Sequence, residues 1–322
     1  MKLDTDLTVR RPLAVVIVTY NSAGSLPGLL DTLEAGLKGI AKSEIVVADN
    51  ASSDQSVALA LTHPAGVRVV QTGRNGGYAA GINAAVATID RDADLLILNP
   101  DIRVSAGSIV HLVDQFRHPG VGIAVPRMVH EDGTLVFSLR REPSLLTAWA
   151  DALLGARFAH RIDLGECICN DQRYAETGTV DWASGAALAV SGVARSRIGD
   201  WDESFFLYSE EVDYQRRARS AGFRIVFDPD ACFVHIGGDY SRNARLYGIL
   251  TTNRIRDYAR HHGSLGTTVF RAAVLTGEVL RSLRGSAVHR SGVLAAWNWR
   301  REGRPGKASR RAATQAHSSS KP

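Results

Sequence analysis

The sequence has no run of about 18 uncharged apolar residues, which is the length a helix needs to cross a membrane. Residues 1–11 mix Asp with Arg and have no apolar core, so no secretory signal is expected there. Cysteine is scarce: Cys167, Cys169 and Cys232 cannot all pair with one another, and their spacing is not that of a zinc finger. We therefore expect reduced thiols in a cytoplasmic protein.

The remaining composition is ordinary for a globular protein. The chain has 322 residues, of which 45% are hydrophobic and 22% charged, with 30 Gly and 10 Pro. These proportions exclude collagen-like, coiled-coil and wholly disordered classes. The length is sufficient for one large α/β domain or two small ones, each with a sizeable core.

Acidic residues are scarce at the C-terminal end. Residues 271–322 carry 11 Lys and Arg against 2 Asp and Glu, a net +9, so the rest of the chain carries −4 within the total of +5. A basic end suits an anionic membrane, nucleic acid or a phosphorylated substrate, and a solvated, disordered tail is the alternative. No aromatic residue interleaves with the basic residues after Arg300, so nothing beyond charge favours nucleic acid.

Apolar strands alternate with helical patterns along the first 120 residues. The pattern predicts strands at 13–18, 44–48, 67–71 and 94–98, and helices at 25–37, 54–61, 78–89 and 109–116. This alternation predicts a parallel sheet with helices on both faces. In such a sheet the binding site lies at the carboxyl ends of the strands.

The second half has shorter elements. Strands are predicted at 122–126, 135–138, 186–190, 223–227 and 232–235, and helices at 205–221, 242–262 and 267–283. The segment 145–171 has no clear period, so an irregular flap is expected there. The helix 267–283 is amphipathic, which predicts that it lies in a membrane interface or packs on the body or on a second subunit.

Polar clusters follow the predicted strands at Thr19-Tyr20-Asn21, Asp49-Asn50, Arg74-Asn75 and Asn99-Pro100-Asp101. The Asp101 carboxylate is suited to a divalent cation beside phosphate oxygens, with a helix cap as the alternative. Asp49 is suited to a base or ribose, or to a turn. Arg74, Asn75 and the glycines to Gly77 suit a diphosphate, although they form neither a P-loop nor a dinucleotide fingerprint.

Three carboxylates fall within four residues at Glu210, Glu211 and Asp213. On a helix Glu210 and Asp213 share a face, and mutual repulsion favours at least one raised pKa, as a general base needs. A solvated helix start is the alternative. His235 ends a predicted strand and is either a metal ligand or a structural histidine.

Taken in order, these segments resemble glycosyltransferase family 2, the inverting nucleotide-sugar transferases of GT-A fold. The resemblance covers residues 12–262 and rests on 15–21, 47–54, 75–83, 98–101, 182–186, 205–213 and 234–241. The residues 132–133, Ser138, Arg140-Arg141 and 143–144 resemble the acceptor side of bacterial rhamnosyltransferases that use dTDP-L-rhamnose. Some members of that subgroup act on polyprenyl-diphosphate N-acetylglucosamine, in cell-wall or polysaccharide synthesis.

The resemblance implies roles for individual residues. Glu211 stands at the position of the catalytic base, where the family usually has Asp, with Glu210 and Asp213 as alternatives. Mg²⁺ or Mn²⁺ is expected at Asp101 with His235, and Asn99 replaces the first Asp of the family's Asp-x-Asp motif. The nucleotide sugar is expected at Thr19, Tyr20, Asn21, Asp49, Asn50, Arg74, Asn75, Gly77, Asn99 and Asp101. The donor sugar and acceptor are expected at Trp182, Ser184, Gly185 and Arg140.

The implied organisation is an arm at 1–11, a nucleotide-sugar half at 12–120, an acceptor half at 121–262, basic amphipathic helices at 263–300 and a disordered tail at 301–322. The implied partners are a nucleotide-sugar donor, with dTDP-rhamnose favoured, a glycan or lipid-linked acceptor, and the inner face of the cell membrane. No nucleic acid is expected, and a homodimer stays open. The basic side chains expected near lipid or diphosphate are Arg254, Arg256, Arg260, Arg271, Arg281 and Arg284.

Three alternatives stay open to different degrees. A UDP- or GDP-sugar donor, such as a galactofuranosyl, glucosyl or mannosyl donor, would use the same nucleotide site. A degenerate protein that only binds a nucleotide sugar would keep the fold without the chemistry. A nucleotidyltransferase is disfavoured because the first strand is followed by Thr19-Tyr20-Asn21 rather than by a glycine-rich basic loop.

Overall fold

The computed structural model describes residues 11–237 and 243–302. The predicted tail beyond 302, most of the predicted arm, Gly238 and Ser241 lie outside these residues. The strands are β1 (Leu13–Thr19), β2 (Ser43–Asp49), β3 (Arg68–Gln71), β4 (Asp94–Leu98), β5 (Ile102–Val104), β6 (Val121–Val129), β7 (Leu135–Val136), β8 (Leu139–Arg140), β9 (Gly178–Val180), β10 (Trp182–Ala183), β11 (Ala187–Val190) and β12 (Arg224–His235).

The helices flank this sheet and continue beyond it. They are α1 (Leu26–Gly36), α2 (Ser56–Thr62), α3 (Tyr78–Val86), α4 (Ser108–Asp114), α5 (Leu145–Leu153), α6 (Ala156–Arg161), α7 (Gly192–Ile198), α8 (Glu210–Ser220), α9 (Ala244–His261), α10 (Ser264–Ser282) and α11 (Ala287–Glu302). Short 3₁₀ turns lie at Gln115–Arg117 and Asp171–Tyr174.

The predicted parallel sheet is confirmed for the first four strands, which lie in the order β3-β2-β1-β4. Beyond β4 the sheet becomes mixed, because β11 pairs antiparallel with both β4 and β6. The order continues through β6 and β12 to β5, so one sheet extends through both predicted halves. β8 and β10 form a separate antiparallel pair.

Burial on both faces explains the continuous apolar strands. All seven residues of β1 and all five of β4 are buried, and their side chains alternate between two hydrophobic clusters on opposite faces of the sheet. Val16 belongs to one cluster and Val15 to the other. The sheet therefore holds the ends of β1 and β4 rigidly at one edge.

The expectation of an irregular flap at 145–171 is wrong, because α5 and α6 lie there. The Ser144 side chain accepts a hydrogen bond from the Thr147 backbone N–H at 3.1 Å, and the Thr147 side chain accepts one from the Ser144 backbone N–H at 3.1 Å, which forms a capping box. Buried Ala148 then packs α5 against the C-terminal helices. Ser144 and Thr147 are the residues in the sequence that mark this helix start, and they were not recognised as a cap.

Two predicted boundaries also differ from the structure. The helix expected at 205–221 begins only at Glu210, because Tyr208 and Ser209 have φ of 66° and 74°, which no α-helix contains. The two strands expected at 223–227 and 232–235 are one strand, β12, interrupted by an irregularity between Asp228 and Cys232.

The C-terminal helices pack on the body. A third hydrophobic cluster joins α5, α9, α10 and α11, with the Tyr258 and Phe270 rings stacked at 3.9 Å. This arrangement corresponds to the packing alternative for α10. Among the described helices, none has both the length and the hydropathy to cross a membrane.

Most arginines expected at lipid or diphosphate have partners within the chain, and their contact with lipid or diphosphate stays a prediction. Their guanidinium groups donate to nearby carboxylates or carbonyls. Arg254 pairs with Glu166, Arg256 with the Ser204 carbonyl, Arg260 with Asp202, Arg271 with the carbonyls of Ala296 and Trp297, and Arg281 with Glu278.

Candidate active site

Asp101 and His235 meet at the carboxyl edge of the sheet. β12 pairs antiparallel with β5, which places His235 opposite Ile102. The Ile236 backbone N–H donates to the Asp101 carbonyl at 3.0 Å, and His235 Nε2 lies 3.4 Å from Asp101 Oδ2. The two side chains predicted to hold a metal are therefore neighbours.

The polar atoms of this pair are not satisfied by the protein. Asp101 Oδ1 and His235 Nε2 are buried and make no hydrogen bond within the described residues. A Cβ atom on Gly237 would lie 2.0 Å from Asp101 Oδ2, so only glycine fits beside the carboxylate. A carboxylate oxygen with an imidazole nitrogen is a donor set that suits Mn²⁺. The pair therefore fits a divalent cation.

Glu210 and Glu211 form a second group of unsatisfied atoms at the start of α8. Each has one buried carboxylate oxygen without a hydrogen-bond partner in the described part of the chain. Burial raises the pKa of Glu211 to about 7. Burial, together with the Glu211 charge, raises the pKa of Glu210 well above its usual range. A carboxylate with a pKa near neutrality is suited to proton transfer.

Tyr78 links these groups, although our sequence analysis gave it no role. Its hydroxyl donates to the Gly185 carbonyl at 3.3 Å. Burial raises the pKa of Tyr78, and the charges of Glu210, Glu211 and Asp101 raise it further, so all three acids act on its hydroxyl. The signal in the sequence was its position at the first residue of α3, directly after the glycine loop.

Gly77 fixes that loop against the segment before α8. Its φ is 93°, and a Cβ atom there would lie 2.0 Å from the Phe206 carbonyl oxygen. The Tyr78 N–H donates to the same oxygen at 3.0 Å, and Asn50 Nδ2 donates to the Gly77 carbonyl at 2.8 Å. The loop predicted to hold a diphosphate is thus tied to both β2 and α8.

Thr19 and Asp49 are brought together but are buried. The Thr19 hydroxyl donates to Asp49 Oδ1 at 2.9 Å, and the Ser52 N–H donates to Asp49 Oδ2 at 2.9 Å. Their exposed fractions are 0% and 2%. This arrangement corresponds to the turn and cap alternative for Asp49, so its carboxylate shapes the loop around the site.

Other residues predicted at the nucleotide lie on the surface or in turns around this edge. Tyr20 and Arg74 are exposed, and Arg74 Nη2 is 3.8 Å from Glu203. Asn21 Oδ1 accepts from the Ser53 N–H at 2.8 Å, and the Asn75 side chain accepts from Gly77 N–H at 3.1 Å. The backbone N–H of Asn99 donates to Ala186, which positions the β4–β5 turn that carries Asp101.

The residues predicted at the donor sugar and acceptor converge beside Glu211. Arg140 lies 6.0 Å from the Trp182 ring centroid. A Cβ atom on Gly185 would be 3.1 Å from Glu211 Cβ. The Ser184 N–H donates to the Ser138 carbonyl at 3.0 Å, and the Ser138 hydroxyl is buried without a partner in the described residues.

Asp213 is separated from this group by its own ion pair. Its carboxylate accepts from Arg217 Nε at 2.8 Å, one helical turn further along α8. Glu211, not Asp213, is therefore the acid that Gly185 and Arg140 approach. A groove of about 840 Å³ also lies along α3 and α7, and its lining contains none of the acids at 101, 210 and 211.

Two further contacts hold α8 in place. Gln215 accepts from the Ala183 N–H at 2.9 Å and donates to the Ala183 carbonyl at 2.7 Å, which joins α8 to β10. Asn253 of α9 donates to the backbone at Leu207 and Tyr208, just before α8. Neither residue was predicted from the sequence, because no motif marks a contact between distant elements.

The fold and this edge of the sheet define a GT-A-like glycosyltransferase. Among solved structures, the mannosyltransferase PcManGT of Pyrobaculum calidifontis, determined with GDP-Man and Mn²⁺, matches with a TM-score of 0.56. The match covers 98% of this chain and 83% of that chain at 17% identity. At that identity the likeness establishes the fold alone.

The chain belongs to glycosyl transferase family 2, and the sequence model of that family matches residues 14–168. It is 30% identical over 234 residues to N-acetylglucosaminyl-diphospho-decaprenol L-rhamnosyltransferase of Mycobacterium tuberculosis, covering 69% of this chain and 75% of that protein. It is 24% identical over 229 residues to rhamnosyltransferase WbbL of Escherichia coli K12, covering 69% and 82%. The predicted family is confirmed, and the protein is a glycosyltransferase.

Proposed function

We propose that this enzyme transfers L-rhamnose from dTDP-L-rhamnose, with inversion, to a hydroxyl of N-acetylglucosamine on a polyprenyl diphosphate. The observation that carries the proposal is that the Asp101–His235 pair and the carboxylates of Glu210 and Glu211 all have buried polar atoms without a hydrogen-bond partner in the described residues, and that Tyr78 lies within electrostatic range of the three acids. The similarity to the mycobacterial rhamnosyltransferase supports the sugar and the acceptor class. We also propose that the enzyme divides into a donor half at 12–120 and an acceptor half at 121–262.

Glu211 is the proposed base. Its carboxylate accepts the proton of the acceptor hydroxyl as that oxygen attacks the anomeric carbon, while the bond to the diphosphate breaks on the opposite face. One displacement inverts the anomeric centre and needs no covalent intermediate with the enzyme. The Arg140 charge acts on this carboxylate, and Arg140 lies 6.0 Å from the Trp182 ring centroid; both side chains are proposed to orient the two sugars.

Asp101 Oδ1 and His235 Nε2 are proposed to hold a divalent cation. When bound, that ion neutralises charge on the diphosphate leaving group. The Mn²⁺ in the PcManGT complex supports this ion class. Asn99 and Asn75 are proposed to face the diphosphate, and Arg74, Tyr20 and Asn21 the nucleoside, with Thr19, Asp49 and Asn50 fixing the loops that carry them.

The donor is tested by calorimetric binding of dTDP and of UDP, each with and without Mn²⁺, to the wild type and to Asp101→Ala. Metal-dependent dTDP binding that is lost in the variant is expected. A preference for UDP would keep the family and replace the donor by a galactofuranosyl, glucosyl or N-acetylglucosaminyl one. Binding of neither nucleotide would favour a protein that has lost its catalytic function.

Transfer itself is measured with dTDP-L-rhamnose and a short-chain polyprenyl-diphosphate N-acetylglucosamine. We expect a disaccharide on the lipid with the opposite anomeric configuration from the donor. Donor hydrolysis without transfer, or equal transfer to free N-acetylglucosamine, would contradict the lipid-linked acceptor. The Glu211→Gln variant is the control for enzyme-dependent product.

An exposed apolar surface supports a membrane-embedded acceptor. α5 and α10 pack side by side: a Cβ atom on Gly277 would lie 3.1 Å from Ala152 Cα, and Arg281 donates to the Asp151 carbonyl. Large apolar side chains remain exposed at this end: Leu153, Leu154, Phe158, Ile162, Leu164, Val279, Leu280 and Leu283. We propose that this face meets the cytoplasmic leaflet, where the basic C-terminal segment adds attraction to anionic lipid.

Flotation with anionic vesicles tests the membrane face. The wild type is expected to float at low salt, and Leu280→Glu with Leu283→Glu to remain in solution. Leu61→Glu is the matched control, because Leu61 on α2 is 61% exposed, between Leu280 at 42% and Leu283 at 79%. A wild type that stays in solution, or a control that fails equally, would contradict the proposed surface.

A further inference from the structure

Two cysteines and a histidine converge away from the Asp101 pair, between α6 and β8. His160 lies in α6, and Cys167 and Cys169 lie on the chain that returns beside β8. The backbone of Cys167 pairs with that of Arg140 in an isolated antiparallel β-bridge, and the Ile168 N–H donates to the Leu139 carbonyl at 3.0 Å. All three side chains are half-buried.

Their ligand atoms already approach the spacing of a metal site. Cys169 Sγ lies 3.2 Å from His160 Nδ1 and 3.3 Å from Cys167 Sγ, and all three atoms lie within 4.8 Å of one another. Tetrahedral zinc, with Zn–S of about 2.3 Å and Zn–N of about 2.0 Å, sets separations of about 3.5 to 3.8 Å between ligands. Both Cys169 separations are therefore within about half an ångström of the values that zinc sets.

The surroundings of His160 resemble those of a metal-bound imidazole. Its Nε2 faces Asp151 Oδ1 at 3.7 Å, and that buried oxygen makes no hydrogen bond within the described residues. A carboxylate behind the imidazole fixes the tautomer that turns Nδ1 toward a metal. A Cβ atom on Gly165 would lie 2.1 Å from His160 Cδ2, so glycine at that position makes room for the ring.

The surroundings of Cys167 also favour its thiolate form. The hydrogen bond from Cys169 lowers its pKa to about 7, and the Arg140 charge acts in the same direction against desolvation. Arg140 Nη1 donates to Cys167 Sγ at 3.0 Å. A metal would deprotonate both thiols, with the two protons released to solvent.

We propose that His160, Cys167 and Cys169 form a binding site for a soft divalent metal ion, Zn²⁺ in the first instance, with Asp151 orienting His160. Two thiolates and an imidazole select zinc over the harder cation suited to Asp101 and His235. The His-x₆-Cys-x-Cys spacing matches no zinc-finger pattern. The ion would fasten α6 to β8, and thereby hold Arg140 beside Trp182.

The test uses the full-length, reduced and metal-free protein without a polyhistidine tag, titrated with Co²⁺. One equivalent is expected to give a sulfur-to-cobalt charge-transfer band, which one equivalent of Zn²⁺ then removes. Cys167→Ser, Cys169→Ser and His160→Ala are expected to lose the stoichiometric band. Cys232→Ser and Asp101→Ala are the matched controls and are expected to retain it.

Two further measurements test the site even if a ligand variant folds poorly. Asp151→Asn is expected to fold and to weaken Zn²⁺ binding about 10- to 100-fold, as loss of an orienting partner does. Zn²⁺ is expected to protect two thiols of the wild type from a thiol reagent. No charge-transfer band in the reduced wild type would overturn the proposal, and a Cys167–Cys169 disulfide in place of metal binding would do the same.

Discussion

The side-chain amide of Asn253 donates a hydrogen bond to the backbone carbonyl of Leu207, 2.8 Å away. The same nitrogen lies 3.2 Å from the Tyr208 carbonyl. These bonds stabilise the turn in which Tyr208 and Ser209 both adopt positive φ, a conformation that costs about 1–3 kcal/mol for each non-glycine residue. The strained turn starts α8 at Glu210 and thereby aims the acids at Gly185.

Asn253→Asp tests this relationship, because it replaces the donating amide by an oxygen that faces two carbonyls. We expect a loss of about 1–3 kcal/mol in the free energy of unfolding. We also expect kcat to fall more than donor affinity, since the acids and not the nucleotide loops are displaced. Steady-state kinetics and urea denaturation measure both effects, and Asn298→Asp on α11 is the matched control. An unchanged kcat would show that the turn does not position the acids.

Glu211→Gln is expected to lower kcat about 10²- to 10⁴-fold, because the amide cannot accept the acceptor proton. Nucleotide binding by calorimetry should be retained. Asp213→Asn is the matched control on the same helix: it breaks the ion pair with Arg217 and is expected to reduce stability more than turnover. If Asp213→Asn abolished transfer and Glu211→Gln did not, the assignment of the base would be reversed.

The pH dependence follows from the raised pKa of Glu211. A base acts when deprotonated, so kcat/KM is expected to rise with pH and level off above about 7. The free energy of unfolding changes with pH in the opposite direction. The Glu211 carboxyl ionises near pH 4.5 in the unfolded chain and near pH 7 in the folded one, so the folded state loses stability as the pH rises between these values.

Glu211→Gln should therefore unfold at a higher temperature than the wild type at pH 8, and at a similar temperature at pH 4. Thermal unfolding followed by circular dichroism at both values measures this difference. A variant that is less stable at pH 8 would indicate that the wild-type carboxylate has a stabilising partner. In that case the acid limb of the rate profile would also move below pH 7.

Local patterns in the sequence predicted the β1–β4 layer and the edge that carries Asp101. A continuous apolar strand that ends in polar residues can be recognised from neighbouring residues alone. Such local patterns were sufficient to predict these four strands. The start of α8 was not predictable in this way, because positive φ at Tyr208 and Ser209 depends on Asn253, 45 residues further along. Tyr78 was missed for a related reason: its acidic neighbours come from two segments far from it in the sequence, the β4–β5 turn with Asp101 and the start of α8 with Glu210 and Glu211.

The arginines of the C-terminal region illustrate the limit of composition arguments. A net charge of +9 over residues 271–322 predicted an anionic partner. In the fold two of these 11 basic residues have partners within the chain: Arg271 binds the carbonyls of Ala296 and Trp297, and Arg281 binds Glu278. Net charge cannot distinguish a guanidinium that pairs within the fold from one that faces a lipid headgroup, because the difference lies in tertiary contacts.

His235 is predicted to set the choice of cation. An imidazole nitrogen beside the Asp101 carboxylate suits Mn²⁺ better than Mg²⁺, which prefers oxygen ligands. We expect the wild type to reach half-maximal activity at lower Mn²⁺ than Mg²⁺ concentration, and His235→Asn to reduce that difference. Removal of the cation by a chelator should abolish activity in both proteins. An unchanged preference in the variant would exclude His235 as a ligand.

Arg216 ties α8 to the acceptor side and to α9 through a network of charges with little exposure. Its guanidinium donates to both Asp257 oxygens, at 2.7 and 2.8 Å, and to Glu142 at 2.7 Å, while the Asp257 side chain is only 2% exposed. Arg216→Met leaves that carboxylate buried without its main partner, so we expect a loss of about 3–5 kcal/mol in the free energy of unfolding.

The double variant Arg216→Met with Asp257→Leu distinguishes pairing from packing. Because it removes both charges together, it is expected to be more stable than Arg216→Met alone, since apolar replacements of buried ion pairs are often neutral or better. Urea denaturation of the four proteins in this cycle gives the coupling energy. Strictly additive losses would mean that the pair contributes only packing, and that α8 depends on Gln215 and Asn253 for its position.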